Sequence, residues 1–453
     1  MTADERRLAH GKDSAIRILP FSAWRYNPSV VGDPAGCVSP PYDQFTPEMI
    51  ARLEAQSPYN IARMVKAPEG GGPDESGKHY QGARELLNHW IGERAIVADR
   101  VSGIYPYAQS YPHGNGRLTR QGFIALGDVR DAGLYTHEET HSHVREDRAR
   151  LRLATAADFG LIFMIYSDPS LGIDRLLRDC LSGTPLLSAS QPDGSTHHLH
   201  RCSDPDVLTR ITRQMSGLDC VIADGHHRTA AAFDAWKRSG DDRFGFAMMA
   251  FFNADAPGMT VLPIHRGIVR RDGWRFESFL DALAERFDVQ EIPVDPQTSD
   301  ALIAGRLDGL VQDQARKERM AFGLVGPDRG RVFLLESPRR SPDDWPWPPE
   351  SKPAWRQLAT AVFDVGILRS VLGFKDADMS AGRDLVFSKD SAELIGLVRK
   401  GLCQAGFILP ATPLGAIFEV ARARQNLPQK STFFFPKLLT GLTINRIDTL
   451  PAA

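Results

Sequence analysis

The feature that most constrains the fold is a sharp change of pattern at the centre of the chain, in LDCVIADGHHRTAAAFDAWKRSG. An apolar run ends at Asp224-Gly225, and an alanine-rich segment begins at once. A short apolar run bounded by a turn signal is typical of a buried strand, and the segment after it favours a helix. The sequence therefore predicts a strand, a tight turn and a helix that begins with His226, His227 and Arg228.

The predicted turn has the chemistry of an anion site. Backbone N–H groups at a helix start lack intrahelical partners, and the helix dipole places positive charge there. Arg228 adds a planar fork suited to phosphate oxygens, and a histidine can donate to a phosphoryl group. Asp224 can orient a hydroxyl or hold Mg²⁺, or it can simply cap the helix while Gly225 supplies the turn. The predicted phosphate-binding residues are Gly225, His226, His227 and Arg228.

Composition limits the classes of protein that fit. The chain has 453 residues, 42% of them apolar, which is enough for sizeable cores in two or three domains. A net charge of -2 argues against general affinity for nucleic acid or an acidic membrane surface. The five cysteines are scattered without a C-x-x-C pair, so no disulfide framework or thiolate zinc site is indicated. A charged N-terminus and short apolar runs predict a cytoplasmic protein with no membrane partner.

The local patterns divide the chain into three predicted regions. Residues 1–130 form an N-terminal α/β region in which residues 95–129 alternate as an antiparallel hairpin does. Residues 131–265 contain the central turn and a mixed sheet, and residues 266–453 form a C-terminal α/β region. Within the last, residues 337–353 are so rich in proline that we expect an exposed loop or lid. The predicted fold class is α+β.

A second cluster of polar residues, THEETHSHVREDRARLRLATAADFG, lies upstream of the turn. His137 to His141 fit H-E-x-x-H, in which two zinc ligands lie one helical turn apart. The charged Glu139 between the histidines, the lack of a helical pattern before them and the absence of a downstream G-x-x-H make zinc the weaker interpretation, although Glu146 or His143 could be proposed as the third ligand. In the other interpretation Glu138 is a carboxylate base, held by an arginine-rich helix at residues 144–157. Those arginines form a solvated face or reach a polyphosphate.

An HE element upstream of DGHHR resembles the free serine kinases of the ParB/sulfiredoxin-like superfamily. In those kinases the glutamate of the HE element acts as base on the serine hydroxyl, and the DGHHR loop binds phosphate and helps to place the metal. The resemblance implies a ParB/sulfiredoxin-like mixed-sheet core in the middle of the chain, with Mg²⁺ at Asp224. The catalytic residues that it implies are Glu138, Asp224 and His227.

Nearly the whole chain is similar to a long bacterial and archaeal family of unassigned function. The ordered motifs that carry this similarity are PFSAWRYNP, SPPYD, HEET with EDRARLRLATA and IFMIYSDP, IADGHHRTAA, TVLPIHR and KSTFFFPKLLTGL. The chain departs from the family in NLPQ before KST and in TAAAFDAW after DGHHR, and the second departure could change the acceptor. The motifs add candidate substrate or donor contacts, each with a structural alternative as a turn, a cap or a salt bridge: Tyr42, Asp43, His265, Arg266 and Lys437.

The leading hypothesis is a small-molecule kinase that phosphorylates the hydroxyl of free serine or a similar amino acid, with ADP, ATP or pyrophosphate as donor. The sequence has no G-x-x-x-x-G-K-[ST] loop and no protein-kinase signature, which favours a small donor held by the turn, arginines and Mg²⁺. The alternatives are a regulatory protein that binds a nucleotide or phosphometabolite without turnover, and the zinc hydrolase. A DNA-binding protein is opposed by the charge balance. A homodimer is left open.

Overall fold

The computed structural model describes residues 16–68, 72–131, 133–138, 140–269, 273–327, 331–338, 345–375 and 384–451. The chain forms two compact units. The first contains the residues up to Thr260 together with those from Pro436 onward, and the second contains Val261–Phe435. The division of the sequence at residues 130 and 265 stays a prediction.

The first unit is built on a large mixed sheet. The strand order is β6-β11-β8-β12-β5-β4-β10-β9, and β1 pairs with β5. The β11–β6 and β12–β8 pairs are parallel, while the other described pairs of this sheet are antiparallel. The strands are β1 (Ile18–Leu19), β4 (Tyr105–His113), β5 (Gly116–Asp128), β6 (Leu134–Tyr135), β8 (Ile162–Tyr166), β9 (Leu187–Ser190), β10 (Thr196–Leu199), β11 (Cys220–Asp224) and β12 (Phe246–Asn253). Two small ladders join β2 (Trp24–Tyr26) to β3 (Ile96–Ala98) and β7 (Ala157–Asp158) to β21 (Asn445–Arg446).

Helices pack against this sheet through apolar side chains. Ile173, Ile211 and Phe233 come from three different helices and belong to one buried cluster with Met164 and Ile222 of the strands. The helices are α1 (Pro28–Val31), α2 (Pro47–Gln56), α3 (Ala62–Val65), α4 (Lys78–Gly92), α5 (Ser142–Thr155), α6 (Gly172–Leu181), α7 (Pro205–Met215) and α8 (His226–Ser239), with 3₁₀ turns at Pro34–Cys37, Tyr42–Gln44, Asp242–Gly245 and Ile447–Thr449.

The central strand, turn and helix are confirmed. The side chains of the first four residues of β11 are buried, and the strand lies between β6 and β8, as its continuous apolar run predicts. Gly225 follows with φ 97°, a conformation that strains residues with a Cβ, and α8 begins at His226. The helix ends at Gly240, which also has a positive φ of 66°.

Other local predictions in the first unit also hold. Strands β4 and β5 form the predicted antiparallel hairpin, with His113 opposite Gly116 at its turn. The charged helix begins at Ser142, two residues earlier than predicted. The mixed α+β class is confirmed. Within the described ranges, no helix has the length and apolarity needed to cross a membrane.

The second unit has a six-stranded sheet in the order β15-β17-β16-β19-β14-β18. Its strands are β14 (His265–Val269), β15 (Phe287–Pro293), β16 (Ala321–Val325), β17 (Arg331–Pro338), β18 (Leu385–Ser388) and β19 (Cys403–Ile408), preceded by β13 (Thr260–Leu262) and followed by β20 (Phe433–Phe435). Its helices are α9 (Phe276–Ala284), α10 (Asp300–Arg316), α11 (Pro353–Arg356), α12 (Ala359–Val362), α13 (Ser391–Arg399) and α14 (Leu414–Arg422), with a π-helix at Phe363–Arg369.

The proline-rich segment of the second unit differs in part from the prediction. We expected residues 337–353 to be exposed, but Trp345 and Trp347 are 4% and 9% exposed. Their rings stack at 5.7 Å, and Trp345 also contacts Phe287. The two indoles are large enough to keep this part of the segment in the core despite its prolines. Residues 339–344 lie outside the described residues, and a lid function stays a prediction.

Candidate active site

The HE element and the central turn lie side by side because their strands are parallel neighbours. Leu134 and Tyr135 of β6 pair with Cys220 and Val221 of β11. Parallel strands deliver the residues that follow them to the same edge of a sheet. Segments 86 positions apart in sequence therefore meet at this edge.

The closest contact between the two segments joins an acid to a ring nitrogen. Glu138 Oε2 lies 3.4 Å from Nδ1 of His226. The His226 side chain is 3% exposed, whereas that of Glu138 is 42% exposed. The carboxylate is thus accessible to a small molecule and oriented by a buried imidazole at the start of α8.

Four histidines surround this contact. The rings of His137 and His226 meet edge-on at 4.6 Å, and those of His141 and His227 stack at 5.6 Å. Burial, followed by the charge of His226, lowers the pKa of His137 to about 3. Burial and then His141 lower the pKa of His227 to about 4. Near neutral pH both rings are therefore uncharged and act as donors or acceptors of hydrogen bonds.

Several of these ring nitrogens have no hydrogen-bond partner in the described part of the chain. They are both nitrogens of His137, Nε2 of His226 and Nδ1 of His227. A buried polar atom without a partner costs free energy, and such atoms are often satisfied by a ligand or water. The cluster is consistent with a site that binds a polar molecule.

Asp224 lies between the two cationic groups of the site, Lys437 and Arg228. Its Oδ1 lies 2.8 Å from Nζ of Lys437, and its Oδ2 accepts a hydrogen bond from Arg228 at 2.9 Å. Desolvation would raise the pKa of Asp224, but Lys437 and Arg228 outweigh it and hold the pKa at about 2. The side chain makes no cap hydrogen bond to α8, since Gly225 occupies the N-cap position. The simple capping role considered for Asp224 is therefore wrong.

Arg228 is partly engaged by the protein. One terminal nitrogen donates to the carbonyl of Leu161, and the other donates to Asp224. Gly160 lies close by, and a Cβ there would come within 3.3 Å of a terminal nitrogen of Arg228, which is a tight contact. A guanidinium has five N–H donors, so these contacts leave donor capacity for a phosphate, and they also fix the plane of the fork.

The PPYD motif reaches the same place. Tyr42 and Asp43 lie in a 3₁₀ turn after Pro41, and the guanidinium of Arg148 lies 4.3 Å from the Tyr42 ring centre. Asp43 is accessible to solvent but surrounded by protein. This desolvation, and then the charge of Asp224, raise the pKa of Asp43. The charge of Asp224 affects the pKa of Asp43 only if the two carboxylates are close. The predicted candidates Tyr42 and Asp43 therefore lie near the turn.

The described contacts of His265 and Arg266 lie within the second unit. Arg266 is 1% exposed and donates to the backbone carbonyls of Ile264 and Lys430. Nδ1 of His265 accepts from the N–H of Leu409. These contacts are hydrogen bonds with backbone groups; the salt bridge considered for these residues and their substrate role both stay predictions.

The arginines of α5 are not a simple solvated face. Arg148 and Arg152 are 7% and 5% exposed, and they pair with Asp147 and Asp158. Arg152 also donates to three backbone carbonyls. Together with Arg228 they line a small pocket that is partly open to solvent. The expected solvated face is wrong for these two arginines, because each satisfies buried acceptors.

The zinc interpretation lacks its structural basis. His137 and Glu138 precede α5, and His141 is its N-cap residue, so the two histidines are not one turn apart on a helix. Glu139 lies outside the described residues. Among the residues that are described, no group of three or more His, Cys, Asp or Glu side chains is arranged to hold a metal ion.

Mg²⁺ makes different demands from zinc. It is commonly held by one or two carboxylates, with phosphate oxygens and water completing an octahedron. Asp224 and Asp43 are two such carboxylates, and each oxygen of Asp224 has a second lone pair beyond its contact with Lys437 or Arg228. The residues present therefore fit Mg²⁺ that arrives with a phosphate.

Sequence reasoning missed the residues that hold Lys437. The backbone carbonyl of Lys437 accepts from Nε2 of Gln109 at 3.1 Å, and that of Pro436 accepts from Arg120 at 2.7 Å. Gln109 and Arg120 are almost fully buried, at 0% and 1% exposed. Polar residues at inward positions of strands β4 and β5 were the available signal, but their partner is more than 300 positions away.

Comparison with known proteins gives a family and several distant structures. A family model described as "Protein of unknown function (DUF1015)" matches residues 18–361. No curated protein matches the chain.

A conserved hypothetical protein from Pyrococcus furiosus is 14% identical with a TM-score of 0.34, over 72% of this chain and 97% of that chain. A free serine kinase in complex with AMP is 13% identical with a TM-score of 0.34, over 69% and 86%. SbnI with a C-terminal truncation, from Staphylococcus aureus, is 9% identical with a TM-score of 0.31, over 71% and 87%. The chain is thus weakly similar in structure to a free serine kinase and to a hypothetical protein.

Proposed function

The chain belongs to this family of unknown function, and we propose that it is a kinase for the hydroxyl of free serine or a similar amino acid, with ADP, ATP or pyrophosphate as donor. The observation that carries the proposal is the 3.4 Å contact between Glu138 and His226 at the start of α8. It brings an accessible carboxylate to a helix N-terminus that also bears the cluster of Asp224, Arg228 and Lys437. Phosphoryl transfer to a hydroxyl needs a base for the hydroxyl proton and a site that binds the phosphate, and both are present here.

The residues divide the chemistry between them. The acceptor hydroxyl lies at Glu138, which takes its proton as the new O–P bond forms. The bond between the transferred phosphorus and the donor oxygen breaks, and the electron pair leaves with the donor phosphate. Lys437, Arg228 and the N–H groups at the start of α8 balance the negative charge on the phosphates. His227, neutral near pH 7, donates a hydrogen bond to a phosphate oxygen.

Mg²⁺ would be held by Asp224 and Asp43. When bound, it neutralises charge on the phosphate oxygens. Strong pairing with Lys437 and Arg228 keeps Asp224 ionised, which metal binding also requires. The ParB/sulfiredoxin-like assignment of the core belongs to the same proposal, because its support is the HE and DGHHR pattern.

The test is a screen of hydroxy amino acids with each donor and Mg²⁺, followed by phosphorus NMR or mass spectrometry. Glu138→Gln keeps the shape of the side chain but cannot accept a proton, so turnover should fall by roughly 10²–10⁴-fold while donor binding persists. Glu139→Gln is the control and should have a much smaller effect.

Three outcomes would contradict the proposal in different ways. If Glu139→Gln were the inactive variant, the HE element would be assigned one residue out of register. If neither variant lost activity, Glu138 would not be the base. Donor binding by the wild-type protein without turnover of any acceptor would indicate a non-catalytic binding protein.

A further inference from the structure

A second cleft of the first unit lies against the lysine that binds Asp224. Its walls come from helix α2, the prolines before the Tyr42–Gln44 turn, the turn between β9 and β10, and the segment around Lys437. Its volume is about 790 Å³. Typical sites for small organic ligands have roughly 300–1,000 Å³, so the cleft accepts a ligand larger than serine.

Cationic and apolar groups share the lining of this cleft. Arg52 and Lys437 supply positive charge, while Pro41, Met49 and Leu53 supply apolar surface. Apolar walls with a few placed charges are the usual composition of a site for an organic anion. The lining therefore suits a molecule with both an apolar body and a negatively charged end.

Asp193 adds a carboxylate that the protein holds in place. Its Oδ1 accepts from the backbone N–H of Ser195 at 2.9 Å and from the Ser195 hydroxyl at 2.6 Å. The hydroxyl also lies 3.0 Å from Nε2 of His197, whose ring is buried. An aspartate fixed on the wall of a ligand site is well suited to accept hydrogen bonds from sugar hydroxyls.

Lys437 connects the cleft to the site at the turn. Its Nζ lies 2.8 Å from Asp224, and its backbone is fastened by Gln109. The ammonium group is therefore fixed between the cleft and the start of α8. A phosphate chain that reaches Lys437 from the cleft arrives at the residues proposed to bind the transferred group.

We propose that this cleft holds the base and ribose of a nucleoside di- or triphosphate. The base packs on Pro41, Met49 and Leu53, the ribose hydroxyls face Asp193, and the phosphates pass Lys437 towards the turn. The inference rests on the proposed phosphoryl transfer and narrows its donor to a nucleotide, because pyrophosphate has no group that would occupy the cleft.

The inference is tested by a bulky substitution at an exposed position of helix α2 that lines the cleft. Ala55 is exposed and lines the cleft, whereas Ala51, one turn earlier on α2, is exposed and does not line it. Binding of ADP and of pyrophosphate to both tryptophan variants and to the wild-type protein is measured by titration calorimetry with Mg²⁺ and without acceptor. We expect Ala55→Trp to weaken ADP binding at least tenfold and to leave pyrophosphate binding unchanged. Ala51→Trp should bind both ligands as the wild-type protein does.

A second substitution tests the ribose contact. Asp193→Asn should reduce the preference for ADP over its 2′,3′-dideoxy analogue, because an amide offers these hydroxyls a weaker acceptor than a carboxylate does. ADP binding that is absent from the wild-type protein, or unchanged in Ala55→Trp, would overturn the inference. The calorimetry needs no turnover. If the protein bound ADP in the cleft but phosphorylated no acceptor, the kinase proposal would be refuted while the nucleotide cleft would stand.

Discussion

Replacing His137 with leucine should make the protein less sensitive to acid. His137 is 1% exposed, and burial, followed by the charge of His226, lowers its pKa from 6.5 to about 3. Neither ring nitrogen has a hydrogen-bond partner among the described residues, so leucine removes no hydrogen bond within that part of the protein. The buried ring therefore stays neutral in the folded protein while the same ring in the unfolded chain takes up a proton.

The magnitude follows from the two pKa values. Above pH 6.5 the ring is neutral in both states and contributes no pH dependence. Below pH 6.5 the unfolded state binds one more proton, so the free energy of unfolding falls by about 1.36 kcal/mol per pH unit until the folded ring titrates near pH 3. At pH 5 the loss is about 2 kcal/mol, which the leucine variant should not suffer.

Urea unfolding at pH 7, 6 and 5, followed by tryptophan fluorescence, measures this difference. The unfolding free energy of His137→Leu relative to the wild type should increase by about 2 kcal/mol between pH 7 and pH 5. His113→Leu, at the exposed turn of the β4–β5 hairpin, controls for the loss of a histidine from the unfolded chain and should keep the wild-type slope. Equal slopes for His137→Leu and the wild type would refute the burial argument, because they would show that the ring is protonated in the folded protein.

Three further predictions test the charged groups. Arg228→Lys loses the bidentate fork and should weaken donor binding and turnover by about 1.5–3 kcal/mol, the range of a hydrogen bond to a charged group; unchanged kinetics would limit Arg228 to the fold. Lys437→Met should raise the pKa of Asp224 from about 2 towards 3.8. The free energy of unfolding should therefore fall by about 2 kcal/mol at pH 7, as measured by urea unfolding. The difference should vanish at a pH below both pKa values of Asp224, and an unchanged free energy at pH 7 would contradict the prediction. Arg152→Met should cost about 3 kcal/mol in unfolding free energy, because it removes the ion-pair partner of the Asp158 carboxylate, which is 11% exposed. Arg150→Met removes more exposed ion pairs and should cost much less; equal costs would refute the distinction.

Local sequence signals predicted the elements of the site better than its surroundings. The strand, turn and helix around Asp224 and Gly225 depend on a continuous apolar run, a glycine and an alanine-rich segment, all within a few residues of one another. The meeting of Glu138 with this turn depends on the parallel pairing of β6 with β11. No local pattern specifies that pairing, and the prediction came from the resemblance of the two motifs to known kinases.

Contacts between distant segments account for what the sequence did not predict. The hydrogen bond from Gln109 to the backbone carbonyl of Lys437 joins residues 328 positions apart. No local sequence pattern at either residue predicts the other as its partner. The prediction that the proline-rich segment is exposed was wrong at Trp345 and Trp347 for a related reason. Proline content predicts irregular backbone correctly, but burial is decided by the surface available elsewhere in the unit.

The discontinuity of the first unit has a consequence for biosynthesis. Lys437 and strand β21 belong to this unit but are translated after the intervening residues 261–435. At about 5–20 residues per second, a ribosome needs roughly 9–35 s to make those residues. During that interval the nascent chain already contains Asp224 beside Arg228, with its partner ammonium group still to be synthesised. The lysine that supports the candidate site is therefore synthesised only after the whole of the second unit.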